Sequence, residues 1–176
     1  PSSAASDVYK RQVCAGFDHP GLIEVAKKQY EKFAGYHSLF GRLSEETLTL
    51  SDKIIEVSPF DDGRVFLCNS GSEANDTMIK MLWMLNLRKG NPHKRKIISR
   101  INGYHGVTLG ASSLTAKPYN EVFGFPLKDF IHTDCPHFLK YGLENESEDN
   151  FTKRMADILE TLILKEDPNT IAGFIA

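Results

Sequence analysis

Three cysteines in 176 residues, Cys14, Cys68 and Cys135, are too few and too scattered for a disulfide framework. A reducing compartment is therefore expected, with the cytoplasm as default. Long hydrophobic runs are also missing: no apolar stretch approaches the ~20 residues that span a bilayer, so no membrane partner is expected. Charge of one sign is not in excess. A net charge of −2 gives no electrostatic reason to bind nucleic acid or an anionic surface. Two nucleotide signatures are absent as well. No Gly-Lys-Ser/Thr run makes a Walker A loop, and no Gly-x-Gly-x-x-Gly run supports a dinucleotide site.

What is present is the composition of a soluble globular protein, 41% hydrophobic and 25% charged. The length suits one domain with a real core. Residues 1–12 are small and polar, have no apolar stretch of a signal peptide, and are expected to be an artefactual or disordered tail. The far end, 171–176, is an apolar strand that stops without a turn. The chain is accordingly read as a fragment, with a helical segment and interface loop at 13–60 and a partial ligand-binding domain at 61–176.

Periodicity predicts the elements. A helix over 22–33 puts Ile23, Ala26, Tyr30 and Phe33 on one face. Ser44 with Glu45 and Glu46 opens a second helix that ends before Pro59. Strands and helices then alternate: strand 65–68, helix 72–89 with Gly90 beyond its end, strand 96–101, a short helix near 108–113, strand 130–133, helix 148–165 and strand 171–176. That spacing predicts an α/β layer with a mostly parallel sheet.

Two segments carry chemistry. The first is Asn69-Ser70-Gly71-Ser72-Glu73, a tight turn opening a helix. Gly71 lets a ligand approach the backbone, Ser72 adds a hydroxyl, and the first helical N–H groups face the turn, as an anion cradle requires. A plain N-cap by Ser70 or Ser72, with Glu73 favouring the dipole, fits the same residues. The second is Gly103-Tyr104-His105-Gly106, placed after a strand where α/β folds hold ligands. Tyr104 there either presents its face to a planar ligand or packs on the sheet. Other residues weigh less. His132, Cys135 and His137 could ligate zinc but lie on a loop stiffened by Pro136, and no metal is expected. Asp76 and Lys80 read as a solvated i, i+4 pair. Trp83 with Met78, Ile79 and Leu82 reads as core or dimer packing.

The linked order Asn69-Ser70-Gly71-Ser72-Glu73-Ala74-Asn75-Asp76-Thr77, Ser99-Arg100 and Gly103-Tyr104-His105-Gly106-Val107-Thr108-Leu109 resembles class III pyridoxal-phosphate-dependent aminotransferases. The resemblance runs from Phe17-Asp18-His19-Pro20 through Tyr36-His37-Ser38-Leu39-Phe40-Gly41 to Phe174-Ile175-Ala176. His132-Thr133-Asp134-Cys135-Pro136-His137 is most similar to the ω-amino acid:pyruvate and 4-aminobutyrate:pyruvate transaminases. The resemblance implies a fold-type I partial large domain and pyridoxal 5'-phosphate as cofactor. It also implies that Gly71 and Ser72 bind the cofactor phosphate and that Tyr104 stacks on its ring. Leu39 and Phe40 would line the substrate pocket of a neighbouring subunit in a homodimer, although Leu39 departs from the expected Phe-Phe pair. His105 is assigned to positioning the loop.

The resemblance further implies that the catalytic lysine and the acid holding the pyridinium nitrogen lie beyond Ala176, so no catalytic residue is assigned. The implied parent enzyme moves an amino group from an ω-amino acid or amine to a keto acid such as pyruvate, and the fragment alone is expected to be inactive. Rival readings are an aminomutase or decarboxylase of the same class, a non-catalytic phosphate- or nucleotide-binding α/β module, and a truncated product that only dimerises or misfolds.

Overall fold

Polar caps set the helix boundaries in a computed structural model that describes residues 16, 18–35, 41–60 and 62–176. The chain divides into two compact units, one up to Val65 and one from Phe66 onward.

The first unit holds α1 (Pro20–Lys32) and α2 (Glu45–Val57). The α1 helix starts two residues before the predicted position. The His19 ring Nδ1 accepts the Gly21 N–H at 3.2 Å, and Pro20 has the preset φ suited to a first helical position. Ser44 caps α2 by accepting the Thr47 N–H at 3.2 Å, with Glu45 and Glu46 in the first turn. Lys32 reaches Glu46 at 2.7 Å and Glu45 at 3.5 Å, tying the end of α1 to the start of α2. Residues 36–40, including the predicted substrate residues Leu39 and Phe40, lie outside the described residues.

The second unit contains α3 (Gly71–Arg88), β1 (Lys96–Arg100), α4 (Leu109–Leu114), β2 (Phe130–Thr133), α5 (Phe138–Tyr141), α6 (Glu148–Lys165) and β3 (Ile171–Phe174). The three strands form a parallel sheet in the order β2-β1-β3. One predicted strand is corrected. Residues 65–68 form no strand; Phe66 is 65% exposed, and an apolar run becomes a strand only when a neighbour completes its ladder. The ends of two others retreat: β1 stops at Arg100, and β3 at Phe174.

Central β1 is the most deeply buried strand, as expected when helices cover a parallel sheet. Its residues alternate between the faces. Ile97 joins Ile79, Leu114 and Phe130 in the core, with Met78, Leu82 and Trp83 of α3 packed against it. Trp83 is therefore a packing residue, and its Nε1–H donates to the Arg95 carbonyl at 2.9 Å. Ser99 donates its hydroxyl to the Leu114 carbonyl at 2.8 Å, securing α4 against β1. On α6, Phe151 is buried and meets Phe138 edge-on at 5.4 Å between ring centroids. Cutting Ile97 back to alanine removes core contacts of a kind that typically contribute about 2–5 kcal/mol.

Candidate functional site

The carboxyl ends of parallel strands open toward one edge of the sheet, where the following loops can converge on a ligand. At that edge β1 runs into Ile101 and Asn102, the latter at φ +64°, then into Gly103 and Tyr104. A cavity of about 670 Å³ lies there, lined in part by Arg100, Tyr104, His105, Cys135 and His137. Tyr104 is 63% exposed, so its ring is not packed into the sheet. Its neighbour differs: the His105 ring is partly buried, and Nε2 has no hydrogen-bond partner. Burial, reinforced by nearby His132, pushes the His105 imidazole below its ordinary value, which favours the neutral ring. His132 Nε2 donates to the Ser113 carbonyl at 3.0 Å. No group of three metal-ligating side chains converges among the described residues.

In the turn before α3 the two serines make different contacts. Ser70 is the cap: its hydroxyl accepts the Glu73 N–H at 3.2 Å. The Glu73 carboxylate reaches back to the Asn69 N–H at 2.8 Å, in the manner of a capping box. Ser72 does not cap. Its Oγ accepts the Val107 N–H at 3.1 Å, and its carbonyl accepts the Thr108 hydroxyl at 3.3 Å. With the Glu73 and Ala74 N–H groups bonded to Ser70, the Ser72 hydroxyl proton and the Gly71 and Ser72 N–H groups are the donors left at the helix start. A Cβ built on Gly71 would meet nothing within 4 Å, so the first turn of α3 is open at that position.

The predicted segments are therefore joined in space. Asn75 donates its side-chain amide to the His105 carbonyl at 2.6 Å. Asp76 accepts the Ala111 N–H at 3.0 Å. This corrects the expected solvated Asp76–Lys80 pair, since Asp76 is half-buried and turned toward α4. Gly106, at φ +127°, crosses so close to α3 that a Cβ there would lie 2.9 Å from the Ser72 Cα. A side chain would be excluded by strain and by space. Sequence reasoning missed Asn75, Asp76 and Thr115 as residues joining the two segments. Asn75 and Asp76 lie in α3 and Thr115 just after α4, their partners lie 10–35 positions away, and periodicity carries no signal for such partners.

The fold is a parallel α/β sheet whose carboxyl edge carries an exposed aromatic on a loop bonded to the start of α3. The family model for class III aminotransferases matches residues 10–176. The chain belongs to that family, and its sheet and helices are part of the fold-type I domain. Gamma aminobutyrate transaminase 2 from Solanum lycopersicum is 45% identical over 163 residues, covering 92% of this chain and 36% of the relative. The structure of an omega-aminotransferase from Paracoccus denitrificans is 57% identical with a TM-score of 0.92, covering 97% of this chain and 38% of that one. The PMP-bound form of an aminotransferase from Vibrio fluvialis is also 57% identical, with a TM-score of 0.91, covering 96% and 37%. The chain thus spans somewhat over a third of the length of these relatives.

Proposed function

We propose that this chain forms the phosphate- and ring-binding part of a transaminase. The enzyme would move an amino group from an ω-amino acid or amine to a keto acid such as pyruvate. One observation carries this reading: Ser72, at the open start of α3, is bonded directly to the loop that presents Tyr104. Gly71 and Ser72 would hold the phosphate of pyridoxal phosphate through backbone N–H groups and the serine hydroxyl, and Tyr104 would stack on the ring. When bound, that group supplies the carbonyl and the electron-accepting ring that amino transfer requires. The first turn of α3, open at Gly71, and the exposed face of Tyr104 fit it. The GABA transaminase and omega-aminotransferase relatives support the donor class.

The proposal extends to a homodimer, with Leu39 and Phe40 facing a neighbouring subunit's substrate, and to a cytoplasmic location. Among the described residues no helix is long and apolar enough to cross a membrane. Fractionation of source cells tests the location, and recovery with mitochondria would overturn it. The 176-residue polypeptide is proposed to bind cofactor non-covalently and to lack activity by itself. Lys96, one lysine near the sheet, is tied to the Glu166 carboxylate at 2.9 Å and its carbonyl at 2.7 Å.

Equilibrium dialysis against pyridoxal phosphate, pyridoxal, ATP and NAD tests the site. Preference for pyridoxal phosphate over pyridoxal is expected, and preference for ATP or NAD would overturn the reading. Sequencing the source nucleic acid past the Ala176 codon tests the reaction. An in-frame Glu-Pro, followed by an aspartate and a lysine, supports a transaminase, whereas a stop codon there argues for binding or dimerisation alone.

A further inference from the structure

The Tyr104 ring is exposed, so its placement depends on how firmly the backbone beside it is held. The peptide groups on both sides of His105 are fixed. The His105 N–H donates to Thr115 Oγ1 at 2.8 Å, and the His105 carbonyl accepts the Asn75 amide at 2.6 Å. Thr115 belongs to the segment after α4, but Asn75 belongs to α3, the helix whose first turn makes the cradle. Asn75 is therefore a direct side-chain link between the helix that faces the phosphate space and the residue next to Tyr104. The other bonds from this part of α3 land farther along, at Val107 and Thr108 of the loop and at Ala111 of α4.

We propose that Asn75 is a positioning residue that fixes Tyr104 relative to the α3 N-terminus, so that the site favours a ring-bearing phosphate ester over bare phosphate. The inference rests on the cofactor reading given under Proposed function. Asn75 donates to a carbonyl and lies beyond the cradle, so it adds nothing to phosphate binding. Its contribution reaches a ligand only through the ring that Tyr104 covers. A half-buried carbonyl that loses its donor also keeps its desolvation cost, which gives the loop a reason to shift.

The test uses the full 176-residue chain and compares wild type with Asn75→Ala, Asn75→Asp and Ser72→Ala. Dissociation constants for pyridoxal phosphate and inorganic phosphate are measured by dialysis. Asn75→Ala should weaken pyridoxal phosphate binding about three- to tenfold, the loss expected for one hydrogen bond, and leave phosphate binding unchanged. Asn75→Asp keeps the shape but cannot donate, and should show the same split. Ser72→Ala should weaken both ligands. Equal losses for the two ligands in the Asn75 variants, or no loss in either, would overturn the inference.

Amide hydrogen exchange gives a reading independent of ligand. In both Asn75 variants the His105 amide should exchange faster, while the Glu73 and Ala74 amides of α3 keep their wild-type rates. An unchanged His105 rate overturns the positioning role whatever the affinities. If wild type binds pyridoxal phosphate no better than phosphate, the cofactor reading falls, and the exchange result still decides whether Asn75 holds the loop.

Discussion

The helices α3 and α6 are a matched pair with different ends. Each has 18 residues, each is capped by a serine, and each cap accepts an N–H three positions on at 3.2 Å. The residues that follow differ. In α6 they are Glu148 and Asp149, whose carboxylates complement the positive end of the helix dipole. In α3 they are Gly71 and Ser72, and Glu73 is turned back to the Asn69 N–H. A serine cap therefore says where a helix starts, and the next two residues say whether its positive end already meets a carboxylate. The loop contacts add to the contrast. The α6 entrance is tied to its own preceding loop, with Arg154 bonded to both Glu146 oxygens at 2.8 Å and to the Tyr141 carbonyl at 3.0 Å. The α3 entrance is tied instead to the loop carrying the exposed tyrosine.

Giving α3 the start of α6 should produce the largest effect. Gly71→Asp places a carboxylate where the cradle is open, and no neighbour lies within 4 Å to exclude the new Cβ. The chain should melt at or above the wild-type temperature, because the acid suits the helix dipole. Pyridoxal phosphate and inorganic phosphate should both bind at least tenfold more weakly, through like-charge repulsion and loss of charge-assisted hydrogen bonds. Dialysis with a parallel melting curve checks this. Retained affinity would place the anion elsewhere.

The two serine caps allow a smaller, paired comparison. Ser70→Ala and Ser147→Ala should each lower stability by about 1 kcal/mol in urea unfolding, since each removes one cap. The Ser70 change should also weaken phosphate binding by disordering the first turn of α3, whereas the Ser147 change should leave binding alone. Equal effects on binding would mean that the two ends are not functionally distinct.

Much of this contrast was legible in the sequence, and the limit has a physical cause. The α6 boundaries and the parallel sheet follow from local signals, a 3.6-residue apolar period and alternating elements, whereas the α3 cap was narrowed only to Ser70 or Ser72. The strand expected at 65–68 failed because strand formation depends on a partner, and local apolar content cannot supply one. The cradle and the tyrosine were each identifiable as segments, yet each remained ambiguous between structural and ligand-binding duty. Asn75 joins the two segments across 30 positions and Asp76 reaches α4 across 35, and long-range hydrogen bonds leave no periodic trace. Asp76 shows the cost of judging from spacing alone: with Lys80 at i+4 it read as a surface pair, and it is a contact to α4.

Acid should loosen the two helix entrances in separate pH ranges. Bonds from the Arg154 guanidinium and the Leu143 N–H hold the Glu146 carboxyl at about 2, below its ordinary 4.5. A carboxyl lowered on folding contributes stability above its unfolded value and loses it as pH falls through the folded one. The α6 entrance should therefore keep this contribution at pH 5 and lose it between about pH 4.5 and 2. Glu146→Gln should flatten that part of the wild-type stability curve in urea titrations. An identical slope in the variant would remove Glu146 as its source.

At the α3 side the corresponding group is His105, with His132 the titratable neighbour acting on it. Its burial favours the neutral ring, and the unfolded chain takes up a proton more readily than the folded one. Stability from this site is complete above about pH 6.5 and declines as pH falls through the lower folded value. The effect should be the smallest of the set, because the ring is only partly buried. Hydrogen exchange of the His105 amide should be faster at pH 5.5 than at 7.5 after correction for intrinsic rates, with the Phe151 amide of α6 unaffected across that range. His105→Gln should remove the difference at the loop. Equal protection at both pH values in wild type would show that protonation of His105 does not reach the backbone holding Tyr104. The two helix entrances would then differ in what they can bind, but would share their resistance to mild acid.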